Sequence, residues 1–228
     1  MSAVSGYDPW ASGGLPYLNV AHICPATRAL GPGLRAVLWV QGCCFRCPGC
    51  IAPDWIPRRI AHLMNPEEAV AQLLAHPQVT GLTFSGGEPM LQAAGLAAVA
   101  RLARRQRELS IICYTGFTLE QLRAHPPGPG VEDLLREVDV LIDGPYVAAL
   151  NDQRGLRGST NQRVHYLTDR LRGIDFVSAP RRMEIHLRED YALLVGIPTS
   201  DQLKAFERAL IRSASHWRPS TGAKRSAG

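Results

Sequence analysis

The chain has 228 residues, 46% of them hydrophobic, and a formal net charge of +5, which suits one compact domain with a core and modest appendages. No apolar run reaches the ~18 residues of a bilayer span, and the start, MSAVSGYDPWASGG, lacks the basic residues and apolar stretch of a signal peptide; a cytoplasmic protein with no membrane partner is expected. Arg outnumbers Lys 23 to 2 and the arginines are spread along the chain, so the basic balance reads as compositional bias, and nucleic acid is not an expected partner.

Residues 1–33, with Gly and Pro throughout, read as irregular. LRAVLWVQG (34–42) reads as a buried strand and runs straight into a cysteine-rich loop. NPEEAVAQLLAHP opens a helix, with Asn65 as N-cap, Pro66 in the first turn and Glu68 three residues after the cap. VTGLTFSGG (79–87) is a second strand ending in glycines. A helix over 91–109 follows, apolar on one face and Arg-rich on the other, and then a third strand, SIICYTG (110–116). Thr118 and Gln121 have capping-box spacing at the start of TLEQL. After a Pro/Gly loop at 125–130 come a short helix, VEDLLREV, and a fourth strand, DVLIDG (139–144). MEIHLREDYALLVGIP (183–198) reads as a pair of short strands and 199–213 as an amphipathic helix. The reading is a single domain over 1–213, with 214–228, small, polar and basic, as a disordered tail.

Strands alternating with helices predict an α/β fold, a mostly parallel sheet covered by helices as a barrel or an open sheet. Each unusual feature follows the carboxyl end of a strand: the cysteine loop, SGGEP, YTG and DGPY in turn. In parallel α/β folds those ends share one face, where ligands bind, so the four features point to one site. Cysteines crowded into a loop in a reducing compartment bind metal or do redox chemistry more readily than they form a disulfide framework. In GCCFRCPGC (42–50), Cys43, Cys47 and Cys50 have the spacing C-x3-C-x2-C. Soft thiolates suit iron–sulfur clusters and zinc, and three ligands leave one iron of a cubane open to a cofactor or substrate. Two alternatives stand beside this. One is a structural zinc site completed by Cys24, His22 or His62. The other is a register starting at Cys44, C-x2-C-x2-C, which is ferredoxin-like but has no fourth cysteine nearby. Cys44 is otherwise expected to point into the protein as a small apolar side chain, Cys113 to be a core residue and Cys24 a bystander.

The cysteine loop followed by a strand-terminal GGEP resembles the radical S-adenosylmethionine enzymes. GPGLR (31–35), GCCFRCPGC (42–50), SGGEPM (85–90), YTGFTLEQL (114–122), VDVLIDGPYV (138–147) and RGSTNQRVHYL (157–167) stand in the order seen in anaerobic ribonucleotide-reductase activating proteins, the small activases of glycyl radical enzymes. The resemblance covers residues 17–167 and leaves 168–213 as a C-terminal extension without a counterpart. Ile51 and Ala52 stand where the family has an aromatic residue and Asn.

The resemblance implies a partial (β/α) barrel of radical SAM type, a [4Fe–4S] cluster on Cys43, Cys47 and Cys50, and S-adenosyl-L-methionine chelating the open iron. One-electron cleavage of that cofactor gives a 5′-deoxyadenosyl radical, which abstracts a hydrogen from the substrate. The cofactor-binding residues it implies are Gly86 and Gly87, whose backbone can approach closely, Glu88, as acceptor for the cofactor's amine, and Thr115, Asp143 and Asn161; Gln162 and Arg163 would hold the cofactor or receive the partner's loop. The implied protein substrate is a glycyl radical enzyme, and the implied electron donor a reduced flavodoxin or ferredoxin-type protein. The alternatives are a radical SAM enzyme acting on a peptide or small molecule, and a non-catalytic metal-bearing interaction module. His165 and His186 read as structural. Trp10, Trp39 and Trp55 read as packing near the cluster loop, with Trp39 in the core.

Overall fold

The computed structural model describes residues 17–187 and 191–216; Trp10 therefore lies outside the described residues. The chain divides into a unit ending at Ile197 and a unit beginning at Pro198. In the first, chain order runs β1 (Leu18–Thr27), β2 (Arg35–Val40), β3 (His62–Met64), α1 (Pro66–Leu73), β4 (Gly81–Gly86), α2 (Ala93–Gln106), β5 (Ser110–Tyr114), α3 (Leu119–Ala124), α4 (Val131–Glu137), β6 (Val140–Asp143), β7 (Arg163–Tyr166), β8 (Met183–Leu187) and β9 (Ala192–Gly196). Both capping boxes read from sequence are present. Asn65 accepts from the Glu68 N–H while the Glu68 carboxylate accepts from Asn65, and Thr118 and Gln121 do the same at α3.

Seven strands form one sheet in the order β3-β1-β2-β4-β5-β6-β7. The run β2-β4-β5-β6 is parallel, and the flanking β1, β3 and β7 are antiparallel. The fold is thus mixed α/β around a parallel centre. β1 corrects the expectation of irregular chain over 1–33. Its pairing with β2 shifts register twice, between Val20 and His22 and between Cys24 and Thr27. Bulges of this kind break the period-two alternation by which a strand is recognised and make room for Pro25.

The central strands bury both faces, which is why they are apolar without interruption. Ala36, Leu38, Leu82, Phe84, Ile111, Cys113 and Leu141 pack with the helices. On the opposite face Val37 and Trp39 meet Val195 of β9, while Ile112, Val140 and Ile142 meet Leu171 and Phe176. Segments downstream of β7 therefore supply the cover of this second face. Cys113 is buried in the helix-side core, as expected, and Cys24, read as a bystander, is buried on the second face.

At the amino ends of the parallel strands Arg35 is fully buried. Its guanidinium donates to Thr83 Oγ1 and Ser110 Oγ, both at 2.8 Å, and to the carbonyls of Leu82 and Ser110. It ties β2, β4 and β5 together at the end of the strands opposite the cysteine loop, and burial pushes its pKa down to about 9.

β8 and β9 form the expected antiparallel pair. In the second unit, α5 (Ser200–His216) starts from a reciprocal pair of bonds: Thr199 N–H to Gln202 Oε1 and Gln202 N–H to Thr199 Oγ1. The helix continues past 213 into the stretch read as a tail, and 217–228 lie outside the described residues. Among the described residues no helix is long and apolar enough to cross a membrane.

Candidate iron–sulfur and cofactor site

The cysteine loop leaves β2 at Gln41 and is held at its start by backbone bonds, Gly42 N–H to the Trp55 carbonyl (2.8 Å) and Cys43 N–H to the Ile56 carbonyl (3.0 Å). Trp55 also packs on Trp39, ring centroids 5.5 Å apart, so the far end of the loop is anchored on the core. The end of β4 is locked to the same place: Gly87 N–H donates to Val40 O and Glu88 N–H to Gly42 O, at 2.7 and 2.8 Å. A Cβ at Gly87 would lie 2.1 Å from the Gly42 carbonyl oxygen, so only glycine allows the two loops to meet here.

The third strand end joins through Phe45. Its ring lies edge-on to Phe117 at 4.8 Å and covers Gly116, where a Cβ would come within 2.6 Å of the ring. The fourth joins through Gly144 N–H, which donates to the Phe117 carbonyl at 3.0 Å, and through Gly49, which faces Tyr146 and Ala148. The four strand-end features therefore form one continuous surface.

Glu88 is buried at the centre of that surface. Its carboxylate accepts from Met90 N–H (2.9 Å), the Thr115 hydroxyl (2.8 Å) and Gly116 N–H (2.8 Å). Burial pushes its pKa up to about 7 against the lowering effect of those three donors. Glu88 and Thr115, both singled out in the sequence, are thus brought into direct contact. Asp143 and Asn161 have other engagements. Asp143 accepts from Leu119 N–H (2.7 Å) and Arg163 Nη2 (2.8 Å) and bonds His165 Nε2 (2.9 Å). Asn161 donates to the Pro145 carbonyl at 2.8 Å, and Gln162 to that of Gly144. His165 and His186 each bond a carboxylate, Asp143 and Glu184.

Cys43, Cys47 and Cys50 are partly buried, whereas Cys44 is exposed. This corrects the expectation that Cys44 points inward: the inward side of the loop is taken by Phe45. The missed residue of the site is Phe45 itself. Its only signal in the sequence is an aromatic inside a cysteine loop, and its role depends on Gly116, some seventy residues away.

The chain matches the family described as "4Fe-4S single cluster domain" over residues 29–165, more than half its length. The chain belongs to this 4Fe–4S family. It is 33% identical over 159 residues to an anaerobic ribonucleoside-triphosphate reductase-activating protein of Enterobacteria phage T4, covering 67% of this chain and 96% of the relative. The protein of that name from Vibrio cholerae is 33% identical over 162 residues, 66% of this chain and 99% of the relative. A pyruvate formate-lyase-activating enzyme of Clostridium pasteurianum is 30% identical over 152 residues, 64% of this chain and 58% of the relative.

The donor set fits such a cluster. Three free thiols stand within eight residues on a loop anchored at both ends. Burial, and then the Cys47 thiol, push Cys50 up, and burial, with Glu88, Cys44 and Cys47, pushes Cys43 up to about 12. Thiolates are the binding form, so loading such a site must displace protons with positive charge. Among the described residues no three metal-binding side chains are gathered for a single ion; the family match decides between cluster and zinc. The surroundings also fit S-adenosylmethionine, which carries an ammonium and a sulfonium: among the described residues the buried Glu88 carboxylate has three donors but no cation bonded to it, beside a glycine cradle.

Proposed function

We propose that the protein is a glycyl-radical-enzyme activase of radical S-adenosylmethionine type that acts in the cytoplasm on anaerobic ribonucleotide reductase. Cys43, Cys47 and Cys50 are the cluster ligands, and the cofactor lies beside them along Gly86, Gly87 and Thr115. Residues 17–167 form the activase core, curved as a partial barrel, with 168–213 as its extension. The observation that carries this reading is the meeting of the cysteine loop with the β4 and β5 ends, through Gly42–Gly87 and Phe45–Gly116, in a chain similar to activating proteins over two thirds of its length.

When bound, the cluster and S-adenosylmethionine supply one-electron cleavage of the cofactor and a radical that takes hydrogen from the partner's glycine. The chain's own contribution is placement and exclusion. Glu88 aims the Thr115 hydroxyl and fixes the Gly116 backbone, so it acts mainly as a positioning residue and favours nearby positive charge. Phe45 and Phe117 keep water from the wall between the cluster and the β5 end. Asp143 and Asn161 hold the β6 end and its loop in place through Arg163, Leu119 and Pro145.

The test is anaerobic reconstitution with iron and sulfide, followed by reduction in the presence of S-adenosylmethionine and candidate partners. About four irons per chain, 5′-deoxyadenosine release and a glycyl radical signal on the reductase are expected. A loaded, reduced protein that leaves the reductase without a radical rejects that partner. Pyruvate formate-lyase is the second partner to try, because of the Clostridium relative.

A further inference from the structure

The two sides of the cysteine loop are held by different means. At its start, Gly42 and Cys43 are hydrogen-bonded to the Trp55 and Ile56 carbonyls. Among the described residues, 44–50 find their hydrogen-bond partners within 43–52, as in Phe45 N–H to Cys43 Sγ and Cys50 N–H to the Cys47 carbonyl. Their placement against the rest of the chain therefore rests on packing. Phe45 is seated on Gly116 and Phe117. Gly49, left-handed at φ +75° between Cys47 and Cys50, has Tyr146 and Ala148 as neighbours, 3.7 and 3.6 Å from where a Cβ would stand.

Tyr146 is itself backed by the loop at 157–162. A Cβ at Gly158 would stand 2.9 Å from Tyr146 Cδ2, so glycine lets that loop close on the ring. Ser159 Oγ accepts from Val147 N–H (3.1 Å), and Thr160 N–H donates to the Leu150 carbonyl (2.8 Å). Residues 155–158, leading into this loop, are held by residues beyond the family match, which ends at 165. Gly155 N–H donates to the Ala179 carbonyl and Leu156 N–H to that of Phe176, both at 2.8 Å. Arg181, 8% exposed, donates through Nη2 to the carbonyls of Arg157 (2.8 Å) and Gly158 (3.3 Å). Bonds from a guanidinium are charge-assisted and fixed in direction by its planar fork.

We propose that Arg181 is a positioning residue for the iron–sulfur site. It fixes the Arg157 and Gly158 carbonyls, these set the loop that backs Tyr146, and Tyr146 is the wall against which the Cys47–Cys50 turn rests. A residue of the C-terminal extension thereby governs how firmly Cys47 and Cys50 keep the cluster. The proposal rests on the activase reading for the cluster itself, and iron content tests that separately.

The reconstituted holoprotein is mixed anaerobically with a ferrous chelator, and iron release is followed by absorbance. Arg181→Met, similar in length but without donors, should still load about four irons and release them about tenfold faster, the low end for losing a residue that supports metal ligands. Arg181→Lys, whose ammonium can donate to both carbonyls, should stay within about twofold of the original. Tyr146→Leu should release iron as fast as Arg181→Met, and the double variant no faster than Tyr146→Leu alone, because the two act along one path. Leu171→Ala, which loosens the same cover but keeps every bond of this path, should unfold at lower urea yet release iron at the original rate. An unchanged rate in Arg181→Met, a lysine variant as labile as the methionine one, effects of Arg181→Met and Tyr146→Leu that multiply, or an equal acceleration in Leu171→Ala each overturn the proposal. Should Arg181→Met not fold, Arg181→Gln, with a donor on a shorter chain, takes its place in every comparison. An original chain that loads no iron refutes the activase reading instead.

Discussion

Cys43 and Cys44 are neighbours in opposite surroundings. Cys43 is half-buried, and its sulfur accepts the Phe45 N–H at 3.3 Å, while Cys44 is exposed. The spacing C-x3-C-x2-C puts forward a register from the sequence alone, because ligand spacing is local; the orientation of Cys44 was not legible, because it follows from where Phe45 goes. With Cys43, Cys47 and Cys50 as the proposed ligands, serine at any of the three should abolish cluster content, since a hard hydroxyl replaces a soft thiolate. Cys44→Ser should retain it. Iron analysis and absorbance read the outcome, and a cluster that survives Cys43→Ser but not Cys44→Ser would put the register on Cys44. Glu88 was equally visible after its two glycines, but not the donors it would meet 27 and 28 residues away. Its pKa is raised to about 7 by burial, so its protonated form favours the native state. That stability is present below the ordinary glutamate value and is lost as pH rises through about 7. The free energy of unfolding should therefore fall between about pH 4.5 and 7, at up to ~1.4 kcal/mol per pH unit from this group. Glu88→Gln should remove that part of the slope while costing ~1–3 kcal/mol at about pH 8, where the ionised carboxylate accepts from all three donors and the amide turns a donor toward one of them. Parallel slopes for the two proteins in anaerobic urea titrations would reject the assignment.

Elements whose signals lie within a few residues were readable: the caps at Asn65 and Thr118 need only four consecutive positions. β1 was not, because its two register shifts scramble the alternation, and β7 was not, because a four-residue polar strand such as Arg163–Tyr166 exists only by pairing with β6. The residue that secures this pairing is Asp143. One buried carboxylate at the end of β6 receives the first N–H of α3 from Leu119 and bonds Arg163 and His165 of β7. Burial acts to raise its pKa, but Arg163, the Leu119 N–H and His165 outweigh it, and the net shift is downward. Asp143→Ala should then cost ~2–4 kcal/mol at pH 7, because Arg163 and the α3 N–H lose their acceptor together. A depressed carboxyl gives stability that is present above its unfolded value of about 3.9 and lost as pH falls through the folded one. The gap between variant and original should accordingly close in acid. A loss under 0.5 kcal/mol at pH 7 in denaturant titrations would mean that the three bonds are not coupled.

At the scale of the whole molecule, the meeting of four strand ends was foreseeable, since parallel strands joined by helices must end on one face. The cover of the opposite sheet face was not. It comes from residues beyond the family match, which ends at 165, and from a stretch whose apolar residues are too widely spaced to show a period. Phe176 is 1% exposed and packs with Ile112, Val140 and Ile142, its ring 5.8 Å from Tyr166. Its backbone carbonyl accepts from Leu156 N–H, and the neighbouring Ile174 carbonyl accepts from the Tyr166 hydroxyl. These contacts make Leu171, Phe176 and Val195 part of the core and not a docked appendage. Phe176→Ala should therefore cost ~3–5 kcal/mol, the range for truncating a buried aromatic. Ile174→Ala, at a side chain 40% exposed, should cost less than 1 kcal/mol. Truncation after Leu167 removes Leu171, Phe176 and Val195 at once and bares the apolar face formed by Val37, Ile112, Val140 and Ile142; the truncated chain should aggregate on expression. A soluble, cooperatively unfolding chain of 167 residues, with Phe176→Ala within 1 kcal/mol of the original, would show that the sheet stands without this cover.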